Sequence, residues 1–138
     1  MLVDSSALLA AMFHDQRRHS ECGQILSESG GPLVLSPIVL AEMDYLITKL
    51  ATITEEIRFL GDVASGAYEL APFGTEDIAR AREIIEQYSD LGIGLADASI
   101  VVLSEKLDAL DLLTLDERHF RTLRGARGKP FMILPADA

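Results

Sequence analysis

Short apolar runs and longer segments of helical spacing alternate along this chain. Leu2 to Asp4 reads as a short buried strand. Ser5 or Ser6 can then cap an apolar helix through Ala7, Leu8, Leu9, Ala11, Met12 and Phe13. A second helix is predicted from about His19 to Leu26, closed by Gly30-Gly31-Pro32, and Leu33-Val34-Leu35 makes the next strand. Ser36-Pro37 pairs an N-cap with a proline at the first helical position and starts a helix that runs to about Leu50. Thr54-Glu55-Glu56 opens another, which declines between Gly61 and Gly66, and Tyr68-Glu69-Leu70 is a third strand. Thr75 begins a helix with one apolar face at Ile78, Ala81, Ile84, Ile85 and Tyr88. Leu95 to Leu107 is apolar on nearly every side, the pattern of a helix packed on all sides. Leu112-Leu113-Thr114 and Phe131-Met132-Ile133-Leu134 complete the strands, with a short turn or helix between them.

Strands alternating with helices predict an α/β protein, a three-layer α/β/α sandwich with a mainly parallel central sheet. One domain covering residues 1–138 is expected, because no repeat, linker or low-complexity segment divides the chain. In such a sheet, ligands bind beyond the carboxyl ends of the strands.

That expectation gives meaning to four interruptions of the apolar pattern. Asp4 follows Met1-Leu2-Val3, Glu42 follows Ile38-Val39-Leu40-Ala41, Asp97 sits in Leu95-Ala96-Asp97-Ala98, and Asp116 ends Leu112-Leu113-Thr114-Leu115. Asp4 and Asp116 each follow a predicted parallel strand and should emerge at the same edge of the sheet, with Asp97 and Glu42 joining from helices. Gathering carboxylates costs free energy through repulsion and lost hydration unless a cation or a proton offsets it. A set of oxygen donors without His or Cys suits Mg²⁺ better than Zn²⁺, and Mg²⁺ can activate water for attack on a phosphodiester. Ser6 and Thr114 are placed to hydrogen-bond these carboxylates. Taken singly, each acid has a plainer reading as an N-cap, a solvated helix residue or the start of a turn.

Composition narrows the field. A hydrophobic fraction of 49% in 138 residues is enough for a core without staples, and the lone Cys22 permits no intramolecular disulfide. No basic leader precedes a long apolar stretch and no run reaches membrane-spanning length, so a cytoplasmic protein is expected. The formal net charge of −10 opposes indiscriminate binding to polyanions. Yet Arg118, Arg121, Arg124, Arg127 and Lys129 crowd one stretch after Asp116, with Arg17 and Arg18 as a second group, and a local basic rim can guide phosphates. Arg118 and Arg121 are the expected substrate contacts.

Other constellations are weaker. His14, His19 and Cys22 lack a fourth zinc ligand. Gly92-Ile93-Gly94-Leu95-Ala96-Asp97 starts like a dinucleotide fingerprint but has Asp97 where its last glycine belongs. Ser5 and Ser6 lie in no nucleophile-elbow string, His119 fits a turn or the substrate side, and Tyr45, Tyr68 and Tyr88 fit packing better than base stacking. Two further functions remain open: a phosphotransferase or phospho-receiver with Asp4 or Asp116 as nucleophile, and a catalytically silent module whose acidic pocket receives a basic partner segment. The first lacks the second Asp two places after Asp4, where Ser6 stands.

The strings Asp4-Ser5-Ser6-Ala7-Leu8-Leu9, Ala96-Asp97-Ala98 and Leu113-Thr114-Leu115-Asp116-Glu117-Arg118-His119-Phe120, with Glu42 early in a helix after Pro37, resemble the PIN-domain ribonucleases. They are particularly similar to the VapC toxins of bacterial toxin–antitoxin pairs. The resemblance spans essentially the whole chain. It implies an endoribonuclease dependent on Mg²⁺ or Mn²⁺, with Asp4, Glu42, Asp97 and Asp116 as its acidic tetrad and metal ligands. It further implies a homodimer, inhibited by a cognate antitoxin whose basic side chain enters the acidic pocket. The acidic total favours a specific structured RNA as substrate.

Overall fold

The computed structural model describes every residue, Met1–Ala138. Its elements are β1 (Leu2–Val3), α1 (Ser5–Met12), α2 (His19–Glu28), β2 (Val34–Leu35), α3 (Pro37–Leu50), α4 (Ile53–Ala64), β3 (Glu69–Leu70), α5 (Thr75–Gln87), α6 (Leu95–Leu107), β4 (Asp111–Leu113), α7 (Glu117–Phe120) and β5 (Met132–Leu134). Short 3₁₀ turns at Ser89–Leu91 and Ala126–Gly128 complete the path. The five strands form one parallel sheet in the order β3-β2-β1-β4-β5, with Leu2 opposite both Val34 and Leu112. The three-layer α/β/α architecture expected from the alternation of elements is the one observed.

Each strand is only two or three residues long, yet the central ones are fully covered. Leu2, Val3, Leu35, Leu112, Leu113 and Ile133 are all buried, and each large apolar side chain so enclosed contributes about 1.5–3 kcal/mol. The edge strand β3 differs: Glu69 and Leu70 are both exposed, because only β2 flanks it. β4 closes at Leu113 rather than Thr114, although the Thr114 amide still donates to Leu134 O at 3.0 Å and prolongs the ladder by one bond.

Two helices, α3 and α6, carry acids toward the end of the sheet. In α3, Ser36 Oγ accepts the amides of Ile38 and Val39 at 3.1 and 3.4 Å, and Pro37 occupies the first turn, as its sequence predicts. α6 is enclosed over its middle, Ala98 to Ser104, and packs against α5, α3 and β1. Ser36 and Ser99 bind these helices together. Ser99 Oγ donates to Ala96 O at 2.6 Å, so the Ser36 hydroxyl donates the 2.7 Å bond between the two serines. This buried link holds the start of α3, the helix that bears Glu42, against the first turns of α6, where Asp97 lies.

The chain also closes tightly behind α6. Ala126 N donates to Ser104 Oγ at 2.9 Å, and a Cβ on the buried Gly125 would collide with that same oxygen.

Candidate metal-binding active site

β1 and β4 are neighbours, and the chain leaves them in opposite directions across the sheet, toward β2 from β1 and toward β5 from β4. This is the reversal of strand order at which open parallel sheets leave a crevice. Asp4 and Thr114 stand at the carboxyl ends of these two strands, with the Asp4 amide donating to Leu113 O at 3.0 Å.

Asp4 is only 4% exposed. Thr114 Oγ1 donates to its Oδ2 at 2.7 Å and Ser6 Oγ donates to the same atom at 2.8 Å. The two hydroxyls are themselves fixed by the turn leaving β4. Leu115 N donates to Ser6 Oγ and Asp116 N donates to Thr114 Oγ1, each at 3.0 Å. Each hydroxyl thus takes an amide proton with its lone pair and directs its own proton to Asp4, fixing the carboxylate without a cation. Burial still raises the Asp4 pKa, against these hydrogen bonds and with help from the charge of Glu42.

Asp97 lies in the first turn of α6, where the positive end of the helix favours an anion. Its pKa is nevertheless pushed up to about 7, first by burial and then by the charges of Asp4, Asp116 and Glu42, with His119 pulling the other way. Glu42 reaches the same region from α3, where Ser5 Oγ donates a short hydrogen bond to its Oε1. Asp116 caps α7: its Oδ1 accepts His119 N at 3.1 Å and its Oδ2 accepts His119 Nδ1 at 2.8 Å. The same imidazole nitrogen lies 3.5 Å from Asp97 Oδ2, so that Asp97, Asp116 and His119 offer ligand atoms within 4.8 Å of one another.

The four acids separated in sequence therefore share one crevice, with Ser6 and Thr114 between Asp4 and the β4–α7 turn. The sequence leaves His119 between a turn and the substrate side. Its signs there are its place in the string after β4 that carries the family resemblance and its position three residues after Asp116, the spacing at which one turn of helix returns a side chain to its N-cap.

The donor set fits a hard dication. Four carboxylates supply oxygen, one is held with its proton near neutrality by burial and the charges of the others, and no lysine or arginine bonds to any of them. A divalent cation there would relieve the repulsion that adds to burial in raising the Asp97 pKa.

The arginine rim is partly committed elsewhere. Arg121, an expected substrate contact, forks onto Asp137 at 2.7 and 2.9 Å and onto Glu117 at 2.9 Å. Its charge is balanced by two acids, which leaves Arg118, exposed on α7 between Asp116 and His119, as the arginine beside the carboxylates. Zinc at His14, His19 and Cys22 is also set aside. His19 Nδ1 lies 2.7 Å from Ala10 O, and Cys22 is wholly enclosed in the core.

Comparison with known proteins identifies the family and the fold. The PIN domain family matches residues 1–125. The chain is 39% identical to Ribonuclease VapC26 of Mycobacterium tuberculosis (strain ATCC 25618 / H37Rv) over 135 residues, which cover 98% of this chain and 100% of that protein. The chain belongs to the PIN-domain family. Among solved structures, the Sarcin-Ricin loop cleaving toxin VapC20 of Mycobacterium tuberculosis superposes with a TM-score of 0.78 at 16% identity, over 83% of this chain and 88% of that one. VapBC2 from Rickettsia felis, bound to a DNA fragment from its promoter, gives 0.67 at 18% identity, over 96% of each chain. At these identities the two structures speak to the fold.

Proposed function

We propose that this protein is a Mg²⁺-dependent endoribonuclease, the toxin of a type II toxin–antitoxin pair, acting in the cytoplasm. The observation that carries the reading is the crevice at the ends of β1 and β4, where Asp4, Glu42, Asp97 and Asp116 come together with no lysine or arginine bonded to them and only the His119 imidazole as a basic neighbour. Its relation to a curated ribonuclease over nearly the whole chain supports the choice of RNA. Asp4, Asp97, Asp116 and Glu42 are the residues that would hold Mg²⁺, with Mn²⁺ as a substitute. When bound, the ion supplies an electrophile for the phosphate and lowers the pKa of water.

The chain's own residues do the rest. Ser6 and Thr114 hold Asp4 by its Oδ2, and Ser5 holds Glu42. Glu42, on an exposed turn of α3, is the carboxylate best placed to orient the attacking water, since Asp4 is enclosed and Asp116 is engaged by His119. Arg118 is the cation we assign to the RNA backbone. The attacking group is water, so the RNA 2′-hydroxyl takes no part; the P–O3′ bond breaks, the 3′-oxygen leaves as a hydroxyl, and the product carries a 5′-phosphate.

The antitoxin and a second copy of the chain are the expected partners. Tyr45, Leu50, Ile53 and Ile57 are each more than half exposed on α3 and α4, an apolar surface of the kind that partners cover. The solved VapBC2 assembly from Rickettsia felis supports a partner of this type.

The test is to incubate purified protein with total cellular RNA, with and without Mg²⁺, and to map the new 5′ ends. Discrete cuts bearing 5′-phosphate that vanish in excess chelator are expected. A cyclic phosphate product, or cutting undiminished by chelator, would overturn the mechanism. A protein that binds neither metal nor RNA would be the silent interaction module.

A further inference from the structure

We propose that His119 is a positioning residue that sets the metal affinity of the carboxylate crevice through its Nδ1 proton, holding Asp116 at a fixed separation from Asp97 without itself being a ligand. The inference rests on the proposed function.

Three contacts point to it. The Asp116 carboxylate is grasped at both oxygens by one residue, at Oδ1 by the His119 amide (3.1 Å) and at Oδ2 by the His119 ring (2.8 Å). Carboxylate oxygens only accept, so the ring nitrogen at 2.8 Å is the donor and Nδ1 carries the proton. A nitrogen whose proton is given to Asp116 has no lone pair left for a cation. The same nitrogen stands 3.5 Å from Asp97 Oδ2, which places the ring between carboxylates that arrive from different elements, α6 and the turn after β4.

The architecture makes the arrangement rigid. α7 is a single turn capped by Asp116, and Phe120, next to His119, is buried edge-on against Phe131 with ring centroids 5.8 Å apart. His119 therefore has little freedom to move away from Asp116. Side chains that orient ligands in this way typically change metal affinity tenfold to a hundredfold, roughly, when removed.

The experiment compares wild-type protein with His119→Asn, His119→Gln and His119→Ala, measuring Mn²⁺ affinity by titration calorimetry in the absence of RNA, with circular dichroism to check folding. An asparagine amide nitrogen falls near the place of Nδ1, and a glutamine amide reaches that of Nε2, where its oxygen could serve as a ligand. All three variants keep the backbone amide that serves Oδ1.

The expected result is near-wild-type affinity in His119→Asn, and a loss of about tenfold or more in His119→Gln and His119→Ala. Unchanged affinity in His119→Ala would overturn the proposal. So would retention in His119→Gln with loss in His119→Asn, which would make the ring a ligand through Nε2. If His119→Ala fails to fold, the Asn and Gln pair still decides. Wild-type protein that takes up no Mn²⁺ would instead remove the metal reading on which the proposal rests.

Discussion

Two groups of acidic residues in this molecule differ in how they are balanced. Along the seam between α5 and α6, Arg80 spans Glu105 with two bonds of 2.9 Å and reaches Glu83 at 3.0 Å, while Lys106 meets Asp77 at 3.0 Å. The Asp77 pKa is lowered, first by the Gly74 amide that its carboxylate accepts at 2.9 Å and then by Lys106. In the crevice the acids meet only hydroxyls, amides and one imidazole, and the Asp97 pKa goes up rather than down. This fold supplies cations along a helix seam and withholds them at the ends of its central strands, where several carboxylates meet at one point. That point is where a cation from solution has most to offer.

The contrast breaks most sharply in activity. Asp4→Asn and Asp97→Asn should each lower RNA cleavage by about a hundredfold or more, since each removes charge on which metal binding depends. Circular dichroism should stay native, because an asparagine side-chain oxygen at position 4 can still accept the hydroxyls of Ser6 and Thr114. Wild-type cleavage in either variant would show that the crevice is not the active site.

Stability should move the other way. Because the folded-state pKa of Asp97 is raised, the folded protein holds that proton more tightly than the unfolded chain. Its contribution is full below about pH 4 and is lost as pH rises toward 7. With chelator present, Asp97→Asn should therefore be more stable than wild type at pH 8, by on the order of 3 kcal/mol, with the gap closing toward about pH 4. Mg²⁺ should narrow the gap at that alkaline pH by stabilising wild type alone. Urea titrations at about pH 5 and about pH 8 measure this directly, and an equal gap at both values would mean that neither burial nor the neighbouring charges raise the Asp97 pKa.

The smallest effect belongs to the seam. Arg80→Ala should cost about 0.5–1 kcal/mol, because both Arg80 and Glu105 are substantially open to water and an exposed pair is worth little. RNA cleavage should be unaffected. A thermal shift larger than that produced by Asp97→Asn would reverse the ranking of the two regions.

The sequence carried the fold because its signals are local: the Ser36-Pro37 start of α3, the enclosed run from Ala98 to Ser104, and apolar pairs such as Leu112-Leu113. Asp4 and Asp116 could be placed at one sheet edge because each follows a strand and the strands are parallel. What remained hidden depended on side-chain direction. His119 joins Asp116 through the capping geometry of a four-residue helix, and Arg121 finds Asp137, sixteen positions away, only because the chain folds back after β5. Neither contact leaves a periodic trace. The β3 edge was legible as a strand although both of its residues are exposed, whereas α4 starts at Ile53, just ahead of the acidic cluster that marks it in the sequence.

The hydrogen bond from Thr114 to Asp4 joins positions 110 apart in the chain. During synthesis, the first aspartate leaves the ribosome long before the threonine, the capping aspartate or the histidine has been polymerised. A nascent chain thus has no working crevice until β4 can slot in beside β1, and truncated translation products lack it altogether. Chain order itself thus acts as a delay: the carboxylates cannot meet in a finished crevice until the last strands have been made.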